Sequence, residues 1–228
     1  MSFDPSYCLS TILPLAEAAY TVAAPPGWEL VSKIFTNENQ PNCFGAIFKR
    51  ETFGTGTHEN IVSVCIRGTE RLEEWFCDFD ARPVDSLYGG AGHIAHGFQD
   101  WYSRIRTSLF NGLGMAGAYD QLEIIGHSLG GALAQEFARE IAMRFQIRAG
   151  NGGSVSYCEP TLWTFESPRP YQADAIQQFN QLVTEYWRIE SWPDIVPHAP
   201  PTNLGFVSGG SLVALRDGVP FTLDVHTN

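Results

Sequence analysis

Leu122–Ala142 reads LEIIGHSLGGALAQEFAREIA, and this stretch decides the fold. LEII is a short apolar run that ends at once on a glycine, the pattern of a buried strand. From Leu129 to Arg144 the spacing changes to a helical period, with Leu133, Phe137, Ile141 and Phe145 on one side. Between strand and helix stands Gly126-His127-Ser128-Leu129-Gly130, a GxSxG in a strand–turn–helix setting. The glycines answer a steric demand, because side chains at Gly126 and Gly130 would collide across so sharp a turn. The helix that starts here aims its first amides at the turn, where they can stabilise a developing oxyanion. The Leu129 amide is the natural first donor. The plainer alternative is a serine that merely caps the helix. His127 reads as a packed or hydrogen-bonded neighbour, since adjacent residues on such a turn point in different directions.

Working outward, strands and helices alternate. Cys8 to Ala19 has helical spacing, and Pro25-Pro26-Gly27 ends it. Cys43–Lys49 and Ile61–Arg67 read as strands separated by the turn region Gly54–Glu59. Gly97–Phe110 reads as an amphipathic helix carrying Phe98, Trp101, Tyr102, Ile105 and Leu109. Leu162–Phe165 and Tyr186–Ile189 are further short strands. SLVALR and PFTLDV flank Asp217-Gly218, a strong hairpin signal near the C-terminus. The pattern predicts an α/β fold in a single domain over residues 1–228: a mostly parallel central sheet flanked by helices, with a C-terminal hairpin.

Composition removes whole classes of function. The 228 residues carry 25 acidic and 14 basic side chains, a net charge of −11, which repels phosphate backbones and argues against nucleic acid as a partner. No run of about 20 apolar residues is present, so no transmembrane segment is expected. The N-terminal MSFDPSYCLSTILPLAEAAY lacks the basic start of a signal peptide. The expectation is a cytoplasmic protein if the sequence is complete and a secreted one if a signal has been removed. The cysteines at 8, 43, 65, 77 and 158 form no CxxC, so zinc and thioredoxin-type chemistry have no support, and most are expected to be buried thiols. His93 and His96 lie three apart, but nearby glycines disfavour a helix there and no third ligand is visible; no metal and no cofactor are expected.

A serine at its normal pKa needs a base, and the base needs an acid to hold it. In α/β-hydrolases the order along the chain is Ser, then Asp or Glu, then His. Only His198 and His226 follow Ser128. Asp194 is the best acid, since it lies in the loop SWPDIVP directly after the predicted strand YWRIES. His226 is the preferred base. His198 lies only four residues beyond Asp194 in a stiff PHAPP segment, whereas His226 stands at the end of the last strand, although near a terminus that must be tied down to hold it.

GHSLGGALA resembles the nucleophile elbow of the class 3 lipase family, the fungal-lipase-like α/β-hydrolases. Other segments match that family in order: VCIRGTE, EEWFCDFD with Trp75 and Asp78, HIAHGFQDWY, TFESPRP and RIESWPDIVPHAPP. The resemblance covers about Cys43 to Pro201. It implies a triad acid at Asp194, a base near the C-terminus, and a second oxyanion donor at Thr69. It implies structural roles for Trp75 and Asp78, and for His96 within the His-Gly-Phe motif. At Glu166 the chain departs from the pattern, where glycine is usual. The family often carries a lid after the Thr69 strand. Here that segment, Glu70–Phe76, is charged with one small apolar cluster, which predicts a short or open lid and a preference for short-chain esters. The expected function is hydrolysis of carboxylic esters through an acyl-enzyme on Ser128, with a small-molecule or lipid ester as substrate and transient contact with a lipid interface. Phospholipase A1 or acyltransferase activity would use the same residues. A catalytically silent binding scaffold is the alternative from another class.

Overall fold

A computed structural model describes residues 2–53, 58–69, 79–150, 158–215 and 223–226. The chain opens with a helical turn α1 (Pro5–Tyr7), a π-helical stretch Cys8–Ile12, and α2 (Leu13–Thr21). Asp4 caps this start by accepting hydrogen bonds from the Ser6 and Tyr7 amides. There follow β1 (Glu29–Phe35), β2 (Cys43–Phe53), β3 (His58–Ile66), β4 (Pro83–Asp85), β5 (His93–Ala95) and α3 (His96–Met115). The second half runs β6 (Gln121–His127), α4 (Leu129–Gly150), β7 (Pro160–Phe165), α5 (Ala173–Leu182), β8 (Glu185–Ser191), β9 (Ser211–Leu215) and β10 (Leu223–His226).

Eight strands form one sheet in the order β1-β2-β3-β6-β7-β8-β9-β10. β1, β2 and β3 pair antiparallel, β3 through β9 pair parallel, and β10 returns antiparallel to β9. The α/β architecture, with a parallel middle and a C-terminal hairpin, matches the sequence expectation. β4 and β5 form a separate two-stranded ribbon. β1, that ribbon and α5 went unannounced in the sequence pattern. The Asp217-Gly218 turn, the Glu70–Phe76 lid segment, Trp75, Asp78 and Cys77 lie outside the described residues. Cys8 and Cys65 are buried, and Cys43 and Cys158 are half-buried free thiols.

The sheet buries a different cluster on each face. One face packs Val62, Val64, Ile66 and Ile124 against α3, α4 and α5, through Phe98, Tyr102, Leu133, Phe137, Ile141 and Phe179 among others. The other face packs Ala46, Phe48, Cys65, Ile125, Trp163 and Trp187 under the N-terminal helices, through Ile12, Leu15 and Ala19. Helix α4 is buried on all sides from Leu129 to Ala142, which is why its polar residues need partners. Glu140 accepts from Tyr102 at 2.7 Å and from Arg106 and Arg144, and Arg139 donates to Gln178 at 2.9 Å. On the opposite face, Glu123 of β6 accepts from Ser63 at 2.9 Å and from the Tyr7 hydroxyl, tying the N-terminal helix to the central strand. Among the described residues no helix is long and apolar enough to cross a membrane.

Candidate active site

The carboxyl ends of the parallel strands converge on the turn between β6 and α4. Ser128 sits there with φ of +54°, in the left-handed region that a non-glycine residue occupies at a cost. Two backbone bonds hold it. Its N–H donates to the Phe165 carbonyl at 2.9 Å, and its own carbonyl accepts from Gly131 N–H at 2.8 Å. The flanking glycines are required by space. A Cβ on Gly126 would fall 2.4 Å from the Gly130 carbonyl oxygen, and one on Gly130 would fall 2.3 Å from that of Ile66. The turn is therefore pressed between β3 and its own helix, with no room for a side chain at either flanking glycine.

Ser128 is 1% exposed, and its Oγ has no hydrogen-bond partner among the described residues. A buried hydroxyl without a partner is costly unless the site uses it. Above it, Leu129 opens α4, so the first helix amides and the positive end of the helix dipole face the serine. The strand end at Arg67-Gly68-Thr69 passes alongside, and a Cβ on Gly68 would lie 2.8 Å from Ser128 Cβ. Thr69 follows directly, half-buried. Two clamps fix this segment. Arg67 donates to the Cys43 carbonyl at 2.7 Å, and Gly68 N–H donates to the Tyr20 hydroxyl at 2.9 Å. That hydroxyl also lies 2.6 Å from His127 Nδ1. Burial holds the His127 pKa below its ordinary value, against the opposing pull of the Asp194 charge.

Asp194 stands in the loop after β8, half-buried. Its N–H donates to the Ser191 carbonyl at 3.0 Å, and its Oδ1 accepts from Val196 N–H at 2.8 Å. Its charge is felt by both His127 and Glu166. Glu166 directly follows β7 with φ of +47°, and its Oε1 accepts from the Ser191 N–H and hydroxyl, each at 2.7 Å. The structure thus gathers Ser128, Leu129, Thr69, Asp194 and Glu166 at one end of the sheet.

It does not bring His226 there. His226 pairs with Leu212, Leu212 with Arg188, Arg188 with Thr164, and Thr164 with Gly126. That row lies two residues behind Ser128 and ends four strands away, about 19 Å at ordinary strand spacing. The antiparallel return of β10 is the cause, since it carries the chain away from the carboxyl edge. In this register the His226 backbone lies on the edge strand and not at the elbow. His198 is exposed and lies against Arg169, with Nδ1 3.3 Å from Nη2. His96 pairs with Asp80 at 3.0 Å, in keeping with a structural role, and His93 pairs with Asp174 at 2.5 Å. Among the described residues no group of three His, Cys, Asp or Glu is placed to hold a metal. Tyr20 was not legible as a site residue, because a tyrosine near a helix end carries no motif.

The profile of the family described as Lipase (class 3) matches residues 63–204, which is more than half of the chain. The chain belongs to the class 3 lipase family. A lipase of Rhizomucor miehei is 27% identical over 181 residues, covering 76% of this chain and 47% of that protein. The chain therefore spans about half the length of this curated relative. Among solved structures, the native Rhizomucor miehei lipase propeptide complex superposes with a TM-score of 0.75 at 21% identity, over 100% of this chain and 74% of that one. A triacylglycerol lipase with a serine-protease-like triad at its catalytic centre gives a TM-score of 0.67 at 24% identity, over 88% of this chain and 71% of that one. At these identities the likeness is one of fold, and it matches the α/β-hydrolase expectation.

Proposed function

We propose that the chain hydrolyses carboxylic esters through an acyl-enzyme on Ser128. The observation that carries this reading is the serine itself: a left-handed residue on a strand–helix turn, its buried Oγ without a partner among the described residues and set at the first turn of α4. In the proposed reaction Ser128 Oγ attacks the ester carbonyl. The Leu129 and Thr69 amides receive the oxyanion, each contributing on the order of 3 kcal/mol to the transition state. The alcohol leaves with the proton taken from the serine, and water then releases the acid. Asp194 orients the base. The relation to the triad-bearing triacylglycerol lipase supports this assignment of roles.

His226 remains the proposed base on the Ser…Asp…His order, and the observed register defines what must move. The four-residue edge strand β10 must leave β9 before His226 can approach Ser128. Substrates of lipid character are supported by Trp192 and Ile195, which flank Asp194 and are 72% and 70% exposed. Such apolar side chains at the rim suit transient contact with a lipid interface. A silent scaffold is the alternative reading, because an α/β-hydrolase fold does not by itself guarantee activity. Reaction with a fluorophosphonate probe separates the two. Labelling of the wild type that vanishes in Ser128→Ala supports the enzyme, and a folded wild type that does not label overturns it. A panel of p-nitrophenyl esters from acetate to palmitate then sets the acyl preference.

A further inference from the structure

Glu166 is the third non-glycine residue with a positive φ among those described, beside Val22 and Ser128. It lies one strand from the nucleophile, since the residue before it, Phe165, accepts the Ser128 N–H bond. Its own N–H donates to the Ile189 carbonyl at 3.0 Å, which docks the end of β7 onto β8. A glutamate is held in strained backbone here, at a place where the family resemblance leads one to expect glycine.

The side chain shows what the strain supports. One carboxyl oxygen, Oε1, accepts both the backbone N–H and the hydroxyl of Ser191 at 2.7 Å. Ser191 is the last residue of β8, and the Ser191 carbonyl in turn accepts the Asp194 N–H at 3.0 Å. Glu166, Ser191 and Asp194 are therefore linked in series from the strand beside the nucleophile to the acid. The other oxygen, Oε2, is buried without a partner among the described residues. Burial raises the Glu166 pKa, and the negative charges of Asp194 and Glu190 add to that rise, while the Ser191 bonds oppose it. What the geometry shows is a carboxyl that acts as an acceptor at Oε1.

We propose that Glu166 is a positioning residue for the acid: it clamps Ser191 and so sets where Asp194 presents its carboxylate. This rests on the reading of the chain as a serine ester hydrolase. The clamp needs an acceptor at Oε1 and a side chain long enough to cross from β7 to β8. It does not need a negative charge.

The test compares Glu166→Gly with Glu166→Gln, after fluorophosphonate labelling of the wild type. Glycine accepts a φ of +47° without strain, so the thermal midpoint of Glu166→Gly checks that the fold is kept. The expected result is a fall in kcat of about 10- to 100-fold with little change in KM, as for a displaced catalytic group. The acid limb of the kcat/KM profile moves to lower pH, because a base that loses its carboxylate partner has a lower pKa. Glutamine keeps the Oε1 acceptor, and Glu166→Gln is expected to retain kcat within about 3-fold and the wild-type limb. A Gly variant with wild-type kcat and pH profile overturns the inference, and so does a Gln variant as impaired as Gly. Failure of the wild type to label overturns the esterase reading instead, so the two failures are told apart.

Discussion

The Tyr20 hydroxyl accepts a hydrogen bond from the Gly68 N–H at 2.9 Å, which ties the end of α2 to the strand end beside the nucleophile. The same oxygen meets His127 Nδ1 at 2.6 Å, so one phenol spans the residues next to Thr69 and next to Ser128. The first contact is to the backbone that leads to Thr69, and the second is to the side chain of the residue before Ser128. Tyr20→Phe removes them while keeping the ring. The expected outcome is a stability loss of about 1 kcal/mol, the net value of a typical hydrogen bond, and a kcat reduced by about 10-fold from a loosened oxyanion donor. Urea unfolding and steady-state kinetics on a soluble ester check the two parts separately. An unchanged kcat would show that Thr69 is held without Tyr20.

His127 is buried enough that its neutral form is favoured in the native state. The unfolded chain binds a proton near pH 6.5, whereas the folded chain takes it up only at lower pH. Stability from this group is therefore present above the unfolded pKa and is lost as pH falls through the folded one. Replacing it by asparagine removes that dependence. Urea midpoints at pH 7 and pH 5 should fall further apart in the wild type than in His127→Asn. Equal differences would refute the assignment.

The elbow glycines set a steric test. A Cβ at Gly130 would meet the Ile66 oxygen at 2.3 Å and the Arg67 oxygen at 2.4 Å, and both are backbone atoms that cannot swing away. Gly130→Ala is expected to cost about 3 kcal/mol, the upper part of the range for overpacking. Gly114→Ala is the control, because a Cβ there meets nothing within 4 Å inside helix α3. It should stabilise by about 0.5–1 kcal/mol through helix propensity. Thermal or urea unfolding of the pair checks the contrast, and similar midpoints for the two variants would contradict the packed turn.

How much of this was readable without coordinates follows from the range of each signal. The elbow was readable because its chemistry is local: the strand, the tight turn and the helix all fall within 122–142, and each glycine answers a contact in or beside that stretch. The parallel sheet followed from alternating periods. β1 was not legible, because ELVSKIF has no strict alternation and it packs on the sheet edge with mixed exposure. β4 and β5 are three residues each, too short to show a period. Glu166 could be flagged from sequence as a departure from the expected glycine. Its bonds to Ser191 could not, since they depend on the register between β7 and β8. The register of His226 was not legible for the same reason. Chain order gives Ser, Asp and His in sequence but is silent on which edge of the sheet an antiparallel last strand leaves its end.

That register gives the sharpest test of the base. Ala214 pairs with Asp224 across β9 and β10, two positions from the pairing of Leu212 with His226. Cysteines at both positions, Ala214→Cys and Asp224→Cys, can close a disulfide if the pairing is the resting arrangement, because opposed residues in antiparallel strands bring their Cβ atoms to about 4.5–5.5 Å, close to what a bridge needs. In the bridged protein β10 is held on β9 and His226 is kept about 19 Å from Ser128 by strand spacing. If His226 is the base, oxidation should suppress kcat by 100-fold or more and reduction should restore it, on the scale of a lost general base. Fluorophosphonate labelling should slow in parallel, and His226→Ala should show the same loss in either redox state. A bridged protein with full activity, together with an active His226→Ala, would remove His226 from the mechanism and leave Ser128 and Asp194 to a different base.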